Sequence, residues 1–363
     1  MLRKPPEGPI MAGFRARRLE DLMRRLLPMS LILVGVTATL WLAWFPSVAQ
    51  AAEPQGGAKV AATSASARSS DGKPDLQGVW GFATVTPLQR PKEFAGKEVL
   101  TLEEAAKLEE AAVRDQFVDR PPPPGNPGAY NRFWIDSGTQ AVATRRTSLI
   151  VDPADGRLPE LTAHGKERET ALAARQAIAA SPDHLTTWDR CILGFNAGPP
   201  MIGGGYNAYV QIFQTPDHVV LLNEMVHDAR IVPLNARAPL PSQVRQWRGD
   251  SHGRWDGTTF VVDTKNFRSE GTGTLSLRGL GLSGDENLQL TERFRRLDAD
   301  TLLYEYTVND PTVWSRPWTV SMTMRKIDQP MYEYACHEGN YGLSGILSAA
   351  RATEGTAKKA DAK

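Results

Sequence analysis

The 363-residue chain carries 42 Lys and Arg against 41 Asp and Glu, a net of +1 with histidine neutral, and 41% of its residues are hydrophobic. So balanced a charge excludes the basic field that a nucleic-acid partner needs. The length admits one large domain or two small ones, each with a buried core.

The first segment has the order of a secretory signal. Arg15, Arg17, Arg18, Arg24 and Arg25 precede an apolar run over 29–45, followed by Pro46 and the small-residue pattern Ala49-Gln50-Ala51. Positive charge stays on the cytoplasmic side, the apolar run enters the translocon, and small side chains fit the peptidase, so cleavage is expected after Ala51. The run is short of the roughly 20 residues a spanning helix needs, so no stable membrane span is expected after cleavage. The mature protein is read as periplasmic or secreted. Residues 1–51 hold seven of the basic and three of the acidic side chains, which leaves 35 basic against 38 acidic in the rest.

From 52 to 73 the chain is mostly Ala, Ser, Gly and Lys, too poor in large apolar groups to offset its ordering entropy, and reads as a flexible leader. Residues 74–350 read as a single β-rich domain with helical and loop insertions in its first half, and 351–363 as a disordered tail. A Gly78-Val79-Trp80 entry opens the first strand. Thr101 and Glu104 form a capping-box pattern before a helix running to about Phe117. Pro121 to Pro124 and Gly125-Asn126-Pro127-Gly128 then forbid regular structure. Thr147 to Val151 and Arg157 to Leu161 flank a turn and are expected to pair as a hairpin. Lys166 to Ala180, without Gly or Pro, predicts a second helix.

From Tyr206 the period changes to two. Strands are predicted at 208–214, 218–226, 229–234, 258–264, 288–296, 302–309, 318–325 and 331–336, with turns at 255–257 and 297–300. The fold class expected is mainly β: an antiparallel lipocalin-like barrel, or a related two-sheet arrangement, with two accessory α-helices.

Cys191 and Cys336 are the only cysteines. In an exported chain they are expected to form one disulfide; two buried thiols or thiolate metal ligands are the alternatives. Three histidines lie beside carboxylates: His227-Asp228, His337-Glu338, and His252 after Asp250. Imidazole with carboxylate suits acid-base work near neutral pH or metal ligation, but no metal-motif spacing is present and no metal site is assigned. Arg230 and Arg248 have the forked donors that suit a carboxylate or sulfate, or they pair internally with groups such as Asp228, Asp250 or Glu338. Gly279 to Gly284 satisfies GxGxxG without a βα unit around it, Arg248-Gly249-Asp250-Ser251 is a turn composition, and no Gly-x-Ser-x-Gly elbow occurs.

Taken together, Arg146 to Asp152 with the DGRLP after it, Glu224 to Arg230, Trp255-Asp256-Gly257 with Val261 to Thr264, and Tyr332 to Gly342 (YEYACHEGNYG) resemble a large group of uncharacterised exported proteins from environmental bacteria. The resemblance covers roughly residues 74–354 and implies export without implying an activity. Gly78-Val79-Trp80 is also similar to the lipocalin Gly-x-Trp.

The expected ligand-binding residues are His227, Asp228, Arg230, His337, Glu338, Asn340 and Tyr341, polar groups gathered near one end of a closed sheet. The leading functional reading is a β-barrel that binds a small, partly apolar molecule. A hydrolase or isomerase using the His-carboxylate pairs, and an envelope scaffold or interaction protein, are the alternatives. Cofactor and oligomeric state are not assigned.

Overall fold

The computed structural model describes residues 68, 69, 71–116, 138–235, 237–268 and 286–361. The signal segment, most of the leader, the proline-rich loop and the GxGxxG stretch lie outside the described residues.

Among the described residues ten strands form one antiparallel sheet, and they arise where side chains alternate. They are β1 (Gly78–Gly81), β2 (Ile150–Asp152), β3 (Tyr209–Gln214), β4 (His218–Asn223), β5 (Asp228–Pro233), β6 (Asp250–Asp256), β7 (Thr259–Lys265), β8 (Gln289–Arg296), β9 (Thr301–Asn309) and β10 (Trp318–Ile327). In β10, Trp318, Val320, Met322 and Met324 are buried, with Thr319 and Ser321 on the other face half-buried. β9 matches it residue for residue: Tyr304 faces Met322 and Tyr306 faces Val320.

The strand order is β5-β4-β3-β1-β10-β9-β8-β7-β6, with β2 added on β10. Two meanders, β3 to β5 and β6 to β10, are therefore joined through the first strand. Val79 pairs with Gln211 on one side and Ile327 on the other. The adjacent Trp80 is fully buried and donates from Nε1 to the Leu76 carbonyl at 2.9 Å, which satisfies its polar edge inside the core.

The two end strands, β5 and β6, come together and nearly close the sheet into a barrel. Gly253 permits the approach: a Cβ there would lie 2.9 Å from Val232 Cγ1 and 3.0 Å from Leu234 Cδ2. Arg248, just before β6, donates to the Ala229 carbonyl in β5 at 2.9 Å and pairs with Asp228. Side-chain packing and one arginine thus replace the missing ladder and cover both edges.

The inner face is filled. A row of rings, Trp255, Phe260, Phe294, Tyr304, Tyr306, Trp318 and Trp314, crosses it with successive centroids 4.8 to 6.0 Å apart. Within this packing Arg230 makes a forked pair with Glu292, at 2.6 and 3.0 Å. Tyr304 donates to Glu292 at 2.6 Å and accepts from the Met201 amide at 3.0 Å. Glu292 is fully buried, so its carboxylate is tolerable only because three donors surround it. The middle of the barrel is a core, not a ligand chamber.

Among the described residues the chain forms four α-helices. α1 (Leu102–Gln116) begins at the expected capping box: the Glu104 amide donates to Thr101 Oγ1 at 3.1 Å, and the Thr101 amide to Glu104 Oε2 at 2.8 Å. α2 (Ala163–Ile178) starts three residues earlier than the composition suggests, because Thr162 caps it by accepting from Gly165 N. α3 (Cys336–Gly339) and α4 (Tyr341–Asp361) exceed the two helices expected. They stand where the alternation predicted a last strand over 331–336 and where a disordered tail was expected from 351. Residues 331–335 pair with no strand, since both neighbours of β10 are already taken by β1 and β9. The expected hairpin around 152–156 does not form either: β2 pairs with β10, and Leu161 bridges Trp314. β6 occupies residues expected to turn.

Candidate functional site

The density of polar groups in Tyr332 to Gly342 is explained first by attachment. Glu224, buried at the end of β4, accepts from Asn207 Nδ2 at 2.6 Å and from the Tyr332 amide at 3.3 Å. His227 Nδ1 lies 3.1 Å from the Tyr334 carbonyl oxygen. That oxygen only accepts, so this nitrogen carries the proton. Cys336 is disulfide-bonded to Cys191, with Cα atoms 5.7 Å apart, as the cysteine count led one to expect. Asn340 Nδ2 donates to the Asp189 carbonyl at 2.9 Å, and its Oδ1 accepts from the Leu343 amide at 3.2 Å. Asn340 is thus the N-cap of α4 as well as a clasp to the 188–191 turn.

The backbone beneath these tethers is strained. Cys191 (φ 53°), Asn207 (φ 52°), Val226 (φ 62°) and His227 (φ 40°) all occupy the left-handed region. For β-branched Val226 this costs on the order of 1–3 kcal/mol and persists only because the surroundings over-determine it. Met225 and Val226 are buried with Ala197, and a Cβ on Gly194 would lie 2.1 Å from Met225 Cγ. Rings of Trp188, Phe195, Tyr206 and Tyr334 run from the turn to the attached segment at centroid spacings of 5.4, 5.3 and 6.4 Å.

Between the 188–191 turn and the attached segment lies a cavity of about 420 Å³. Trp188, Tyr334, Leu343 and Ile346 supply its apolar walls, and Asp189, Glu333 and Asn340 its polar groups. This volume is in the range that takes a small molecule.

The expected binding residues do not converge as a set. Asn340 lines the cavity, and His227 holds Tyr334, which also lines it. His337, Glu338 and Tyr341 are exposed beside it. Asp228 is buried against Arg248, and Arg230 belongs to the interior pair with Glu292, which burial opposes but the carboxylate more than offsets, raising the guanidinium pKa. Among the described residues no hydrogen bond or ion pair joins His227-Asp228 to His337-Glu338. His252 is elsewhere, its Nε2 3.0 Å from Asp250 Oδ2. Among the described residues no three His, Cys, Asp or Glu side chains are grouped to hold a metal ion, and no helix is long and apolar enough to cross a membrane.

Sequence reasoning passed over Trp188, Asp189, Leu343 and Ile346. The first two adjoin Cys191, so the disulfide was the available signal: it brings the flanks of both cysteines together. Leu343 and Ile346 carried none, because they are isolated apolar residues in a Gly- and Ser-containing stretch after the last predicted strand. In comparisons with protein-family models, curated proteins and solved structures, none matches this chain.

Proposed function

We propose that the protein is an exported binder of a small, partly apolar molecule, held between the 188–191 turn and the disulfide-attached C-terminal segment. The observation that carries this reading is the cavity itself: aromatic and aliphatic walls with a few fixed polar groups, built on a backbone strained at Cys191, Val226 and His227. The barrel serves as the rigid support, since its interior is filled. Export is supported by the signal-like segment, by a disulfide suited to an oxidising compartment, and by the resemblance to a group of exported bacterial proteins.

The neutral fluorescent amine N-phenyl-1-naphthylamine tests the site. Its emission is expected to rise saturably with the wild-type protein, and the affinity to fall about tenfold in Trp188→Ala and in Ile346→Asp, roughly what burying such side chains is worth. Equal binding by folded variants, or no saturable binding by the wild type, would overturn the assignment. Mass spectrometry of molecules co-purifying with wild type but not with Ile346→Asp would identify the natural ligand.

A further inference from the structure

A second recess borders Ile192 and Leu193, and its chemistry is different. Arg245, Arg248, Arg268 and Trp247 line it together with Ile192 and Leu193, around a volume of about 370 Å³. Arg268 sits with its guanidinium carbon 4.6 Å from the centre of the Trp247 ring, and Arg190 reaches the same ring at 5.8 Å. Two guanidiniums therefore stack on one indole, and those of Arg245 and Arg248 line the same recess.

Carboxylates partner three of these arginines. Arg190 meets Asp183 at 3.2 Å, and Arg245 meets Glu286 at 3.2 Å; both carboxylates are more than half exposed. Exposed pairs of this kind are weak and exchangeable. Arg248 is held differently. It is fixed to β5 through Asp228 and the Ala229 carbonyl, while its Nε is buried and finds no acceptor among the described residues. Arg245 is likewise oriented by the Phe267 carbonyl at 3.3 Å. Arg245 and Arg248 are thus positioned by backbone contacts in advance of any ligand, which reduces the ordering cost of binding. Trp247, Ile192 and Leu193 give the recess apolar walls beside its guanidiniums, whose hydrogen bonds to an anion are charge-assisted.

We propose that this recess is a binding site for a small oxyanion, a carboxylate or sulfate group borne by a small molecule. It uses none of the side chains of the disulfide-lined cavity, so it stands or falls independently of the function proposed above.

Calorimetric titration of the full protein at low ionic strength tests it, with sodium sulfate and sodium benzoate as separate probes and sodium chloride as the screening control. Saturable binding of at least one probe at millimolar concentration or below is expected. Affinity should fall tenfold or more in Arg245→Gln and Arg268→Gln, and should stay unchanged in Ile346→Asp. Preference for benzoate would assign an organic carboxylate, and preference for sulfate a sulfated ligand. Far-ultraviolet circular dichroism establishes that each variant is folded; Arg190→Gln, at the rim, serves if either of the others is not. The proposal is overturned if neither probe binds saturably, if chloride competes as well as both, or if folded variants bind with undiminished affinity.

Discussion

Arg230 and Glu292 show how a residue's role depends on what lies across the barrel from it. Both project inward, 62 positions apart in the chain, and meet at 2.6 and 3.0 Å among fully buried rings. A buried pair of this kind gives little net stability over a well-packed apolar replacement, but removing one partner leaves the other charged and unpaired. Glu292→Leu is therefore expected to cost about 3–5 kcal/mol in urea denaturation, and Arg230→Met/Glu292→Leu to cost less than that single change. A double variant no more stable than the single one would show that the pair is not what holds these side chains. Asp250 titrates instead of staying sequestered. Burial alone pushes its carboxyl up, but the Leu240 amide at 2.8 Å, His252 and Arg237 outweigh it and hold the carboxyl below the usual aspartate value. A depressed folded-state pKa gives stability that is present above the unfolded value, near 4, and is lost as pH falls through the folded one. Asp250→Asn is thus expected to lower stability at pH 7 and to flatten its decline below about pH 4, read as urea midpoints across pH 2–7. An acid limb unchanged by the substitution would remove Asp250 from that role.

The attached C-terminal segment is the element on which the proposed site depends. Residues 331–335 make no ladder, and α3 has only four residues, too few to be stable alone. Its position relies on Glu224, His227, Asn340 and the disulfide. That bond closes a separation of 145 residues, and by chain entropy a loop so long is worth up to about 5 kcal/mol. Cys191→Ser/Cys336→Ser is expected to lose several kcal/mol of stability, and hydrogen exchange should show loss of protection over 332–346 with β7 to β10 unaffected. Uniform loss across the sheet would instead mean that the bridge supports the barrel as a whole. The same element also marks a boundary of sequence reasoning. Tyr332, Tyr334 and Cys336 do alternate, and period two is a strand signal, but pairing needs a free neighbour. Asn340 was read as a ligand group, whereas its Oδ1 caps α4; helix caps are hard to recognise before a segment rich in Gly and Ser is known to be helical.

For the molecule as a whole, closure decides what is site and what is core. The β5 and β6 edges approach because Gly253 lacks a Cβ and because Arg248 reaches Asp228 and Ala229. Once closed, the sheet encloses Arg230, which the chain alone leaves open as a ligand-facing or an internally paired cation two residues after a His-Asp pair. His227, Asp228 and Arg230 are close in sequence yet serve the attached segment, the barrel seam and the interior, respectively. Only neighbours on one face of a strand share surroundings, and Asp228 and Arg230 do share a face; their partners still differ because Asp228 meets Arg248 at the seam while Arg230 reaches Glu292 on β8. The sequence by itself determined the antiparallel β architecture, the first two helices and the one intramolecular connectivity open to Cys191 and Cys336, since alternation and capping are local and two cysteines admit one such bond. The tertiary structure alone decided which charges are neutralised, that the last predicted strand is an attached loop and helix, and where the cavities lie. Those outcomes are set by contacts between residues far apart in the chain, such as Asn340 with Cys191, 149 positions away, and no local period records them.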